Sequence, residues 1–442
     1  MEIIHNFIQT HSIMISAGIL FLAYILIIIE KMPRTAVVLL GATLTIILGI
    51  LSQDKGFHGN FDQNYFINYI DFNVIFLLVS MMIIVNITAK SGVFNWIAKE
   101  LLKFTKGKPK LVLLTLGLFT ALASAFLDNV TTVILVMPIT FIIAKELDID
   151  PAPLLITEII TSNIGGTATL IGDPPNIIIG SAAGLSFGDF AMELTGIVVI
   201  ILLISVGVLM FMFRDKLKTS PEKMQHIKKI DNSKTITNHK LMIRSITVLV
   251  LVIAGFLLHN VIHLQAGIVA MAGASFLLLF EKPGREILHK VEWNIIFFFI
   301  GLFIIIGGLE ASGGIALMAK WLLEITQGSQ NATAMVILWA SGFLSGIIDN
   351  IPYTVTMTPI LEHIQSTMGL EYTHPLWWCL SLGACLGGNM TIIGAAANVI
   401  VCETAASAGH HISFVKFMKY GALITFISLT LSSVYIYLRF LT

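Results

Sequence analysis

Charged side chains are scarce in this 442-residue chain: they make up 12% of it, while 56% of the residues are hydrophobic. A typical soluble domain is about a quarter charged. A water-soluble fold could not hide this much apolar surface, because exposed area falls too slowly with size. Apolar runs of about 20 residues, the length of one membrane crossing, recur with short polar gaps and leave no room for a large soluble domain. The 26 basic and 26 acidic residues cancel, so the total says nothing about acidic partners; a membrane protein of this kind is expected to have no nucleic-acid partner. Cysteine is nearly absent: Cys379, Cys385 and Cys402 lie in apolar runs, without metal spacing or an even-numbered disulfide set. No Gly-Lys-Ser/Thr phosphate loop occurs, so ATP drive is not expected. The chain is expected to carry out no enzymatic chemistry and to hold no cofactor. No basic region precedes the first apolar run, so residues 13–30 read as a retained crossing.

What is present is a regular series of apolar segments. Crossings are expected at 13–30, 34–51, 73–91, 153–181, 195–213, 245–260, 264–281, 293–309, 376–402 and 418–438. The stretches 111–146 and 333–362 are too long for one crossing, and each carries Asp-Asn near its middle. A charge halfway along a lipid-facing helix is costly. A re-entrant hairpin places it at a tip, where irregular backbone can line a cavity. With both termini outside, the cytoplasmic segments hold 23 of the 26 Lys and Arg; Lys55, Lys320 and Arg439 lie outside. That asymmetry is what the positive-inside rule demands. Residues 214–244 form a basic cytoplasmic linker, and the expected home is a bacterial inner membrane.

The chain repeats itself. Asp71-Phe72-Asn73-Val74-Ile75-Phe76 matches Glu292-Trp293-Asn294-Ile295-Ile296-Phe297. Ser124 to Val130 matches Ser345 to Ile351. Gly165-Gly166-Thr167-Ala168-Thr169 matches Gly387-Gly388-Asn389-Met390-Thr391, and Asn176 matches Asn398. Upstream, Val38-Leu39-Leu40-Gly41-Ala42 resembles Ala270-Met271-Ala272-Gly273-Ala274. The expected fold is an all-α polytopic membrane protein of two repeats, 13–213 and 245–438. Each has five crossings and a hairpin. An odd number of crossings inverts the second repeat relative to the first, a design found in transporters.

Mid-membrane polarity gathers at the two hairpin tips and in two helices, 153–181 and 376–402, that glycines and a Pro-Pro pair break. Broken helices free carbonyls for Na⁺ and expose half-helix ends that attract anions. Candidate ion or substrate ligands are Asp128, Asn129 and Thr132 at the first tip, and Asp349 and Asn350 at the second. Asn163, Thr169, Asp173 and Asn176 come from the first break, and Asn389, Thr391 and Asn398 from the second. A Na⁺ site is expected at Asp128, Asn129, Asp349 and Asn350. The glycines alone are equally at home in close helix packing. The carboxylates are not, since intramembrane Asp is rare and costly. No Lys or Arg is expected at their depth. Glu158 is read as reaching a cytoplasmic interface and Glu310 as lying near the outer one.

At Asp128-Asn129-Val130-Thr131-Thr132 and at Asn163 to Asn176 the sequence resembles the ion transporter superfamily. The likeness is to the family of arsenite permeases, sodium–proton antiporters and pigmentation P-proteins, and in layout to divalent anion–sodium symporters. The resemblance implies a homodimer in the lipid bilayer, a scaffold beside a moving body that works as an elevator, and a site built from both tips and both breaks. Two departures stand out: aspartate replaces serine at both tips, and Asp173 faces Ala395 in the alignment. The residues favour secondary active Na⁺/H⁺ exchange, with Na⁺ or H⁺ as coupling ion. The alternative is a permease for arsenite, a carboxylate or chloride; a passive channel would need a continuous polar path that is not seen.

Overall fold

The computed structural model describes residues 7–8, 10–29, 31–51, 64–227, 235–258, 263–281 and 284–442. Lys55 and linker residues 228–234 lie outside the described residues. Every described element is helical, as lipid requires where no water can satisfy a free backbone group. In chain order the helices are α1 (Ser12–Ile29), α2 (Arg34–Ile47), α3 (Asn64–Ile67), α4 (Phe72–Lys90), α5 (Val93–Phe104), α6 (Pro109–Ser124) and α7 (Asn129–Leu147). They continue as α8 (Ala152–Gly166), α9 (Pro174–Ala183), α10 (Phe187–Met212), α11 (Pro221–Ile227), α12 (His239–Leu257), α13 (Ala266–Phe280) and α14 (Gly284–His289). The last are α15 (Trp293–Ala311), α16 (Gly314–Ile325), α17 (Gln330–Ile348), α18 (Asn350–Met368), α19 (Leu370–Gly387), α20 (Ala396–Ser407) and α21 (Phe414–Phe440). Among the described residues, eight helices are long and apolar enough to cross a membrane.

Both long apolar stretches are helical hairpins, α6–α7 and α17–α18, with Asp128 and Asp349 at the turns. Both glycine-rich crossings break: α8 and α9 flank 167–173, and α19 and α20 flank 388–395. Two differences from the sequence reading stand out. Residues 90–110, which lie between the expected crossing 73–91 and the first hairpin and carry no expected element, contain α5, and α16 occupies the matching place in the second half. Both are short, mixed helices that join a crossing to a hairpin, so a search for 20-residue apolar runs passes over them. Glu158, expected at an interface, is fully buried. The Thr140 hydroxyl donates to one of its oxygens, and its other oxygen has no hydrogen-bond partner.

Helices at matching places make matching contacts. Within each half the first hairpin limb packs along the first part of the broken helix, α6 on α8 and α17 on α19. Between halves, α2 packs on α15 as α13 packs on α4, and α9 on α18 as α20 on α7. Two groups of helices result. One comprises α1, α2, α4, α12, α13 and α15. The other comprises the hairpins, the broken helices, α10 and α21. Glycine sets the closest approaches in the second group. A Cβ on Gly165 would stand 2.1 Å from the Ala121 carbonyl oxygen, and one on Gly387 would stand 2.5 Å from that of Gly342.

Candidate ion site

The crossed packing of α9 on α18 and α20 on α7 brings four helix starts together. α7 begins at Asn129, α18 at Asn350, α9 just after Asp173 and α20 just after Ala395. Each start carries the positive end of a helix dipole, although α9 opens with Pro174 and Pro175, which have no N–H, and at α18 the Asn350 and Ile351 N–H groups are already bound. They flank a fully buried carboxyl group, Asp173. Asn129 Nδ2 donates to Asp173 Oδ1 at 3.2 Å, and Asn350 Nδ2 donates to Oδ1 and Oδ2 at 3.2 and 3.3 Å. The asparagines of both hairpin tips therefore meet on one carboxylate from the first break. Among the described residues, no Lys, Arg or His lies within ion-pair distance of it.

A buried amide chain extends from this point. Asn129 also donates to Asn163 Oδ1 at 3.2 Å, and Asn163 Nδ2 donates to Asn389 Oδ1 and Asn398 Oδ1, both at 3.0 Å. Asn389 is left with a buried Nδ2 that has no partner. Asn163 thus ties the two breaks together across the halves. Replacing it by Ala should leave the buried Asn389 and Asn398 oxygens short of a donor, a loss of about 1–3 kcal/mol. A lower thermal midpoint for Asn163→Ala, with little change for the exposed Thr43→Ala, checks this.

Four of the expected ligands have structural partners instead. Asn176 Nδ2 donates to the Thr167 and Thr169 carbonyls at 3.1 and 2.9 Å, and Asn398 Nδ2 to those of Gly388 and Thr391 at 2.7 and 2.8 Å. The Thr169 hydroxyl donates to the Ala125 carbonyl, and that of Thr391 to Gly346 at 2.6 Å. These side chains satisfy backbone groups that the breaks set free and pin each break to its hairpin turn. Thr132 is buried but its hydroxyl has no partner; it lines an apolar gap with Phe94, Phe119 and Val136, apart from the asparagine chain. Cys385 is buried in the core and donates weakly to Asn176 Oδ1 at 3.4 Å.

The tip aspartates divide. Asp128 caps α7, accepting from the Thr131 N–H at 2.9 Å and from the Thr131 hydroxyl. Asp349 caps α18 through the Ile351 N–H at 3.1 Å and forms an ion pair with Arg34, Nη1 to Oδ2 at 2.6 Å. The expected four-residue Na⁺ set thus splits: Asn129 and Asn350 converge on Asp173, while each Asp points to a different partner. Arg34 contradicts the expectation of no cation near the tips. In sequence it reads as an orienting charge in a short loop, and only the fold carries it to Asp349.

The sequence matches the model of the citrate transporter family over residues 24–383. The chain belongs to that family. It is 41% identical to an uncharacterised transporter of Mycobacterium tuberculosis over 96% of its own length and 98% of that protein. It is 40% identical to a 46 kDa membrane protein of Mycobacterium leprae, over 97% and 99%. It is 29% identical to the P protein of Mus musculus over 95% of the chain, which spans 59% of that longer protein. The fold resembles the YdaH transporter of Alcanivorax borkumensis, with a TM-score of 0.54, 12% identity and coverage of 96% and 97%. The protein is an integral membrane transporter of the citrate transporter family and of the wider ion transporter superfamily.

Proposed function

We propose that this protein is a secondary active transporter whose coupling ion, Na⁺ or H⁺, binds at Asp173. The observation that carries the reading is a fully buried carboxyl group held by amides from two opposed hairpins, without a cationic partner. An ionised carboxylate in such surroundings is strongly unfavourable unless paired. It must therefore hold a proton or a metal cation, and exchange of one for the other is Na⁺/H⁺ antiport. The amides turn their NH₂ groups to the carboxylate here, so Na⁺ binding calls for Asn129 or Asn350 to turn its oxygen inward instead. Asn129, Asn163 and Asn350 orient the carboxylate, while Asn176 and Asn398 keep the breaks open.

The two helix groups suit alternating access of the elevator kind. The hairpins and breaks move as one body against α1, α2, α4, α12, α13 and α15, in a homodimer joined through those six helices. Inversion of the repeats gives each side of the membrane one hairpin.

A second reading is transport of a small carboxylate such as citrate, driven by the same ion. The four converging helix starts favour it, because their positive dipole ends attract anions. The family's description points the same way. Proteoliposome flux with Na⁺, H⁺, citrate, arsenite and chloride side by side tests both readings. Saturable proton efflux on Na⁺ addition alone is expected for exchange. Proton movement only in the presence of a carboxylate assigns the second reading, and flux without any counter-ion contradicts both.

A further inference from the structure

We infer that Arg34 is a tethered cation that occupies the second hairpin tip when the ion site is empty and must leave it before the loaded body moves. The inference deepens the proposed ion-coupled function and rests on it for its flux readout. Arg34 opens α2, in the group of helices that carries neither hairpin nor break. Its partner Asp349 belongs to the other group, so the pair is one of the contacts that relative motion must break. The Asp349 side chain is 4% exposed and that of Arg34 is 23% exposed. The carboxylate is thus nearly sealed, while the guanidinium is only partly covered.

Two further observations single out this pair. Asp349 has φ +103°, a backbone conformation rare for a residue with a side chain, whereas Asp128 has an ordinary φ of −66°. Backbone strain of that kind persists only where surrounding contacts impose it, and it marks switch regions. The halves are also unequal at the cation. The match of Val38 with Ala270 places Arg34 opposite Ala266, so the first tip has no counterpart. One hairpin is therefore latched and the other is not.

The latch reaches the ion site through one residue. Asn350 follows Asp349, donates its side chain to Asp173, and donates its backbone N–H to the Gly394 carbonyl at 3.1 Å. A cation arriving beside Asp173 also approaches Asp349 and competes with Arg34 for it. Tyr24 adds a neutral contact across the same boundary, its hydroxyl donating to the Pro352 carbonyl at 2.7 Å. That contact must part with the ion pair when the groups move, but it carries no charge for an arriving cation to compete with.

Arg34→Gln removes the competing charge and keeps a polar side chain. It should lower the Na⁺ concentration for half-maximal flux by about tenfold, with Arg34→Lys in between because it keeps the charge and loses the planar fork. An unchanged or higher half-saturation overturns the inference. A second readout needs no substrate. Spin labels at Leu279→Cys on α13 and Val415→Cys on α21, both exposed, report the distance between the two groups. Without Na⁺, a narrow distribution is expected with Arg34 and a second population with Arg34→Gln. Identical distributions overturn the latch. If no Na⁺-dependent flux exists but the second population appears, the exchange reading fails and the latch stands.

Discussion

Asp173→Asn is expected to abolish ion-coupled flux, by at least about a hundredfold, while the protein still folds and reaches the membrane. Asparagine is nearly isosteric and can accept through its oxygen from Asn129 and Asn350, so the hairpin tips keep their partner. What it loses is the ability to carry a negative charge or a proton. A carboxylate that merely held the tips together would survive this change with most of its activity. Asp128→Asn is a different case, because Asp128 serves its own helix cap and asparagine caps a helix about as well; little loss of stability and only a partial loss of flux are expected. Size-exclusion profile and proteoliposome flux, measured on the same preparations, separate the two outcomes. Asp173→Asn with near-normal coupled flux would remove the ion site from this position.

Gly165→Ala is expected to have the largest effect on folding. The new methyl would lie 2.1 Å from the Ala121 carbonyl oxygen and 2.5 Å from the Ala121 Cα. Both are backbone atoms, so no side-chain rotation relieves the overlap and α6 must move away from α8. Overpacking of a tight core commonly costs about 1–3 kcal/mol, and a clash with backbone lies at or above the top of that range. α8 carries Asn163 and ends at the break that precedes Asp173, so the displacement also misaligns the site. Gly188→Ala is the control, since its nearest neighbour, the Ser186 hydroxyl, is 3.6 Å away. A thermal midpoint for Gly165→Ala equal to that of Gly188→Ala would show that the two helices can part without cost.

The hairpins and breaks were legible in sequence because their signals are local. Asp-Asn within a run too long for one crossing implies a turn, and Gly-Gly followed by Pro-Pro implies an unwound helix. The rank of the carboxylates was not legible. Asp128 and Asp349 share a motif and draw attention, yet each is engaged by its own helix cap. Asp173, unmatched in the second half, becomes central because α9 packs on α18 and delivers Asn350 to it. That contact joins residues 177 positions apart. Arg34 was hidden for a similar reason, 315 positions from its partner and among residues that read as orienting charge. Glu158 shows the limit of reading depth from distance along a helix. Its place near the start of α8 suggested an interface, but the surrounding helices bury it completely.

The central claim concerns one carboxyl group that exchanges a proton for a cation. Infrared difference spectroscopy of the reconstituted transporter on Na⁺ addition tests it most directly. The account predicts that the band of one protonated carboxylic acid disappears when Na⁺ arrives, and that Asp173→Asn lacks this change while Asp128→Asn retains it. A wild-type spectrum without any carboxyl change, or an unaltered change in Asp173→Asn, would contradict it.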